Sequence, residues 1–230
     1  MVSTKGAAPI FSGLAFLKLI KNFMRTIIYI DGFNFYYRAV KNTPYKWLDF
    51  KSLFLKLLSQ ENQIVQIKYF TALVSGKINP QKPVKQQTFL RALETYIPEL
   101  KIFYGHFLTH VVFAPLVQPI ENKRSVKIIK TEEKGSDVNL AVHLLNDAWL
   151  DNYDCAIIVS NDSDLAESMK LVRQYHKGKI LGLIMPGKGH PSKELMKHAD
   201  FVKRIRSGVL AASQLPNPIP KTNIYKPLDW

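Results

Sequence analysis

The stretch IIYIDGFNFYY, residues 27–37, decides how the rest of this 230-residue chain is read. Ile27, Ile28, Tyr29 and Ile30 are β-branched or aromatic, a run that suits a strand buried on both faces. A carboxylate, a glycine and an amide then arrive together as Asp31-Gly32-Phe33-Asn34. In isolation those four residues make an ordinary turn. They would equally suit a metal ion, so their company decides between the two.

Outward from this strand the chain alternates. Residues 47–60 carry a helical stripe of Leu48, Leu53, Phe54 and Leu57, and residues 64–74 read as a second strand. Pro80 and Pro83 mark residues 77–85 as a loop, before a helix over 86–96 and a strand over 101–106. Pro115 and Pro119 argue for a loop or an irregular hairpin over 111–129. A helix follows over 135–149, with Val138, Ala141, Val142, Leu145, Ala148 and Trp149 as its expected inward stripe. Strands at 155–160 and 179–185 flank a helix over 165–176 that turns Leu165, Met169 and Val172 inward. A short helix over 192–198 and a strand over 201–205 complete the pattern. Buried strands alternating with helices imply an α/β fold with a mostly parallel sheet covered on both faces. In such a sheet, sites form beyond the carboxyl ends of the strands.

Three polar clusters fall at those ends or at a helix start. They are Asp31-Gly32-Phe33-Asn34, Glu132-Glu133-Lys134-Gly135-Ser136-Asp137 and Ser160-Asn161-Asp162-Ser163-Asp164. Each taken singly is explained by turn and capping chemistry. Together they bring Asp31, Asp162 and Asp164 to one sheet edge, where carboxylates repel and raise one another's pKa. A hard divalent cation relieves that repulsion, and Mg²⁺ takes oxygen ligands while keeping several waters. No His/Cys set at zinc spacing competes.

The bulk composition fits this picture. With 47% hydrophobic residues the chain can bury a sizeable core. Its net charge is +14, and ten Lys/Arg against three Asp/Glu between residues 165 and 207 supply about half of that excess. Such a field attracts polyanions, nucleic acid first and an anionic membrane second. No run is apolar enough to span a bilayer. Cys155 sits alone in an apolar run, which rules out an intramolecular disulfide and fits a reducing, cytoplasmic setting. Residues 1–23 read as an N-terminal extension, 24–207 as the folded domain, and 208–230 as a Pro-rich tail.

The segments IIYIDGFNFYYR, EKGSDVNLAVHLL and YDCAIIVSNDSDLAESM resemble the three blocks of the NYN domain, in its LabA-like branch, within the PIN-like nuclease superfamily. The resemblance covers residues 25–206, with the blocks in family order. It implies a three-layer α/β/α sandwich and a metal-dependent endoribonuclease using Mg²⁺ or Mn²⁺. It matches Asp31, Asp137, Asp162 and Asp164 to the metal-binding carboxylates, with Asn34 and Ser160 as their polar supports. The chain departs from the pattern at three positions. His143 stands where a second helix aspartate is common, Asn161 where glycine is frequent, and Leu165 where phenylalanine is frequent.

Arg38, Lys134, Lys170, Arg173 and Lys188 are candidates for holding an RNA backbone, and each is also explained as an ordinary solvated cation. A non-catalytic RNA-binding or regulatory module with the same fold is the alternative. Phe33 argues against a haloacid dehalogenase-type phosphatase, which needs an acid at that position. The missing G-x-G-x-x-G argues against a dinucleotide fold. Self-association is left open.

Overall fold

In the computed structural model, residues 23–76, 80–120, 123–228 and 230 are described. The expected extension over 1–23 therefore lies outside them except for Phe23. Strand β1 (Met24–Asp31) leads directly into α1 (Gly32–Phe35), which continues as a π-helical turn over Tyr36–Val40. Helix α2 (Phe50–Leu57), β2 (Asn62–Thr71), α3 (Gln81–Tyr96) and β3 (Leu100–Tyr104) follow. A ribbon of β4 (His106–Ile120) and β5 (Lys123–Lys134) then separates β3 from α4 (Ser136–Trp149). The chain closes with β6 (Cys155–Val159), α5 (Ala166–Tyr175), β7 (Ile180–Met185), α6 (Lys193–Met196), β8 (Phe201–Arg204) and α7 (Ser207–Ala211).

Among the described residues, six strands form one sheet in the order β3-β2-β1-β6-β7-β8, parallel throughout. The chain winds one way from β1 to β3 and the other way from β6 to β8. The switch in direction falls between β1 and β6, where open α/β sheets form their crevice. Side chains of β1 alternate between two cores. Ile28 and Ile30 join a core with α2, α3 and the C-terminal segment, while Ile27 and Tyr29 join one with α4 and α5. The result is the expected three-layer α/β/α sandwich. Cys155 lies at 0% exposure within it, and burial pushes its thiol up to about 12, so it is inert. Among the described residues no helix is long and apolar enough to cross a membrane.

Four expectations are corrected or made specific. The helix expected over 86–96 begins at Gln81, with Pro83 in its first turn, where a missing N–H costs no intrahelical bond. Residues 77–79 lie outside the described residues. Of the loop or irregular hairpin expected over 111–129, the structure shows the hairpin, longer than expected: an antiparallel ribbon with Pro115 paired to Ser125 and a register shift between Pro115 and Ile120. Proline is tolerated because a two-stranded ribbon has only edge strands.

The third correction concerns α4, which carries two apolar stripes. Leu140, Leu144 and Ala148 are the buried ones, together with Ser136 and Asp147. Val138, Val142 and Trp149, expected inside, are each more than half exposed. Hydropathy alone does not choose between the stripes. The polar pairing of Asp147, described below, does.

Last, the Pro-rich segment after Gly208 packs back on the domain. Leu210, Leu215, Ile219 and Ile224 are buried, Leu215 N donates to Trp47 O (2.9 Å), and the Trp230 ring lies 5.5 Å from that of Phe89.

Candidate active site

Asp31 ends the central strand and caps α1. Its Oδ1 accepts from Asn34 N (2.9 Å), and its Oδ2 accepts from Ser160 Oγ (2.8 Å) at the end of the neighbouring strand β6. Gly32 is needed beside it, because a methyl group there would lie 2.6 Å from the Phe70 carbonyl oxygen and 2.8 Å from the Tyr69 ring. Ser160, fully buried, also accepts from Asp162 N (3.1 Å). Asp162 in turn caps the 3-10 turn Ser163–Leu165 by accepting from Asp164 N (3.1 Å). Asn34 Oδ1 accepts from Asn161 N (3.1 Å). The first and third sequence clusters are thus one hydrogen-bonded unit across the β1–β6 crevice.

Asp137 enters from the other cluster, in the first turn of α4, where its Oδ1 accepts from Val138 N (2.9 Å). Gly135 precedes it with φ 93°, a left-handed conformation that favours glycine. Burial pushes the Asp31 carboxyl up. The charges of Asp162 and Asp137 add to that rise, and the hydrogen bonds from Asn34 and Ser160 oppose it. Asp31 therefore feels two of the other three predicted carboxylates. Asp164 is exposed on its turn. Among the described residues no three His, Cys, Asp or Glu side chains form a ready-made cage for a metal ion. The donor set is all oxygen and strongly negative, which fits a hard cation that keeps much of its water shell.

Asn161, at the position where glycine is frequent, has a definite role. Its side chain donates to His190 O (3.1 Å) and accepts from Ser192 N (2.7 Å), tying the loop after β7 to the crevice. Gly187 in that loop has φ 75° and packs directly on the Arg38 carbonyl, so Arg38 and the exposed Lys188 come to the same edge. Lys134 stands two residues from Ser136 and is 3.4 Å from Glu132. Lys170 is exposed on α5 and paired with Glu167 (3.1 Å). Arg173 is not brought to the site. It pairs with Asp200, and donates to His198 O (2.8 Å) and Lys179 O (3.1 Å), at the amino ends of β7 and β8. It is a structural clamp on the opposite edge.

His143 packs against Phe70 and Phe103. Its ring lies 4.1 Å from that of Phe103, and burial followed by the nearby Lys68 ammonium lowers its pKa. Beside it is a group the sequence reading missed. Lys68 donates to Asp147 Oδ2 (2.6 Å), which also accepts from Tyr29 OH (2.6 Å), while Asp147 Oδ1 accepts from Asn152 (3.1 Å). A lone lysine inside the apolar strand Ile67-Lys68-Tyr69-Phe70 was the available signal. The pair ties α4 to β2 about ten residues, or roughly 15 Å, along the helix from Asp137.

Ser160→Ala tests the hydrogen-bonded unit. Removing the hydroxyl leaves a buried carboxylate oxygen and the Asp162 N–H without their shared partner. The expected cost is about 1–3 kcal/mol in urea denaturation.

A parallel sheet with paired acidic and amide residues at its topological switch is an open α/β domain with a site in its crevice. The NYN domain family model matches residues 25–205, and the chain belongs to that family. NYN is a PIN-like nuclease domain; such domains generally act on nucleic acid and usually use divalent metals. Among curated proteins, the chain is 34% identical to 6-hydroxy-3-succinoylpyridine 3-monooxygenase HspA of Pseudomonas putida, over 93% of this chain and 77% of that protein. Among solved structures, it is similar to a protein of unknown function from Vibrio parahaemolyticus, with a TM-score of 0.51 at 18% identity. That match covers 81% of this chain and 95% of the other, and supports the fold.

Proposed function

We propose that this chain is a Mg²⁺- or Mn²⁺-dependent ribonuclease that cuts RNA phosphodiester bonds internally. The observation that carries this reading is the Asp31 carboxylate, oriented by Asn34 and Ser160, its carboxyl pushed up by burial with the charges of Asp162 and Asp137 adding to the rise. Asp31, Asp137 and Asp162 would hold the ion directly or through water, with Asp164 in the outer part of the site. Bound there, the ion would supply a hydroxide nucleophile at neutral pH and stabilise charge on the phosphate. Ser160 keeps Asp31 and Asp162 in fixed relation, and Asn34 fixes the backbone at Asn161. Arg38, Lys134 and Lys188 are the nearby cations suited to hold the strand.

The test is to incubate labelled single-stranded RNA with the pure protein and Mn²⁺ or Mg²⁺, beside Asp162→Asn. The expected result is cleavage that EDTA abolishes and that the substitution lowers by about 1000-fold, matching the several kcal/mol a catalytic metal supplies. Tight binding without cleavage in any metal would identify a non-catalytic RNA-binding module. Cleavage unaffected by Asp162→Asn would place the chemistry elsewhere.

A second reading comes from the Pseudomonas putida relative, whose name describes oxygenation of a substituted pyridine. The 34% identity across 93% of this chain favours trying that substrate. Oxygen consumption with 6-hydroxy-3-succinoylpyridine and an electron donor, absent without the pyridine, would support it over RNA cleavage.

A further inference from the structure

The β4–β5 ribbon forms a sheet of its own and stands apart from the six-stranded sheet. A two-stranded ribbon in water is marginal unless something packs on it. Cross-strand pairing puts Val111 beside Ile129 and Phe113 beside Lys127 on one face. Val111, Phe113 and Ile129 are each more than three-fifths exposed. Phe107 lies on the same face near the base, and its ring meets that of Phe33 edge-on at 5.7 Å. The face is therefore continuous with the Asp31-Gly32-Phe33-Asn34 motif. The base is pinned at the crevice by Glu133, which accepts from Ser136 N (3.1 Å) next to Asp137.

The charge on the ribbon is one-sided. Strand β5 carries Lys123, Arg124, Lys127, Lys130 and Lys134 against Glu132 and Glu133. Lys130 and Lys134 pair with Glu132, whereas Lys123, Arg124 and Lys127 have no carboxylate partner among the described residues. Lys127 Nζ lies 5.3 Å above the centre of the Phe113 ring. An exposed aromatic ring with a cation over it, in a row of free cations, is the chemistry that stacks bases and neutralises phosphates.

We propose that this ribbon is a nucleic-acid arm, along which single-stranded RNA runs toward the β1–β6 crevice. The bases lie against Phe113, Val111 and Ile129, and the phosphates lie on Lys123 and Lys127 beside them, with Arg124 reaching round the ribbon's edge from its reverse face. This rests on the nuclease reading for its substrate class. Two other occupants are disfavoured by charge. Two-fold pairing with a second copy would bring the β5 cations of one chain against the same cations of the other. Insertion into a bilayer would strip water from the Lys127 ammonium, which sits within the apolar face.

The arm is tested by RNA binding in EDTA, where turnover plays no part. The variants are Lys123→Gln/Arg124→Gln/Lys127→Gln and, separately, Phe113→Ala, all at exposed positions, with folding checked by circular dichroism. The triple variant is expected to bind at least about tenfold more weakly. Its log Kd against log salt slope should fall by about 2, the value for three lost phosphate contacts on a single strand. Phe113→Ala should weaken binding about fivefold or more without changing that slope.

Unchanged affinity and slope in the triple variant would overturn the arm. So would loss of anionic-vesicle binding, or of a dimer, with RNA affinity intact. Arm-dependent RNA binding by a wild-type chain that cleaves nothing would sink the nuclease reading and keep the arm. Wild-type cleavage with arm-independent binding would do the reverse.

Discussion

Asp31→Asn is expected to lower RNA cleavage by at least about 1000-fold while the protein melts, in metal-free buffer, at or above the parent's temperature. The two effects have one cause. Asp31 is 9% exposed, and burial pushes its carboxyl up against the hydrogen bonds that favour the charged form. A carboxylate whose folded pKa is raised is a destabilising charge at neutral pH. Its penalty is absent below the unfolded pKa and grows as pH rises through the folded one. Asparagine keeps the shape, and its carbonyl can still accept from Asn34 N, but it carries no charge to repel or to bind. A charge kept at a cost to stability fits a site built to hold a cation. The measurement is a pair of melting curves in EDTA with single-turnover cleavage in Mn²⁺. A clear drop in melting temperature for Asp31→Asn would show that the carboxylate is structural, and would remove the main support for the metal reading.

The second large effect is expected at Lys68. Lys68 and Asp147 are buried, at 5% and 3% exposure, and each is the other's charge partner. Lys68→Met leaves Asp147 with Tyr29 and Asn152 but no cation. Breaking one half of a buried pair costs about 3–5 kcal/mol, which lowers the melting temperature by about 6–20 °C in a chain of this size. The double variant Lys68→Met/Asp147→Leu should lose less than the sum of the single losses, because it strands neither charge. Burial alone would raise the Asp147 carboxyl. Lys68, Tyr29 and Asn152 together outweigh burial and hold it below its ordinary 3.8. A depressed carboxylate contributes stability above its unfolded pKa and loses it as pH falls through the folded value. The parent should therefore lose stability below pH 3.8 in a way that the double variant does not. A cost under about 1 kcal/mol for Lys68→Met would mean that the pair does not anchor α4.

These two sites differ in how readable they were. The Asp31 cluster was legible because three polar groups interrupt apolar runs at places where a parallel sheet must gather its strand ends. The pairing of Asp31 with Ser160 follows from β1 and β6 being neighbours, which the structure supplies. Lys68 and Asp147 were illegible because they are 79 residues apart and each resembles a solvated surface charge. The wrong stripe on α4 has the same origin. Val138, Val142 and Trp149 satisfy helical periodicity as well as Leu140 and Leu144 do, while Ala148, expected inside, is buried. The buried ion pair decides which stripe faces the sheet. Arg173 was misplaced because sequence distance along α5 does not reveal which edge of the sheet a side chain reaches.

By itself the sequence determined the alternating architecture, the parallel sheet and the residues at its carboxyl edge. All of these follow from local periodicity and from where polar residues break it. Only the tertiary structure decided what those residues touch. It turned Asn161 into a clasp on the loop after β7, set Arg173 to work on the far edge, and packed the Pro-rich tail into the core. It also raised an expected irregular segment into a free-standing basic ribbon beside the site. The reason is physical. Hydropathy fixes which side chains leave water, whereas burying a charge requires a specific partner, and partners are assigned only when distant segments meet.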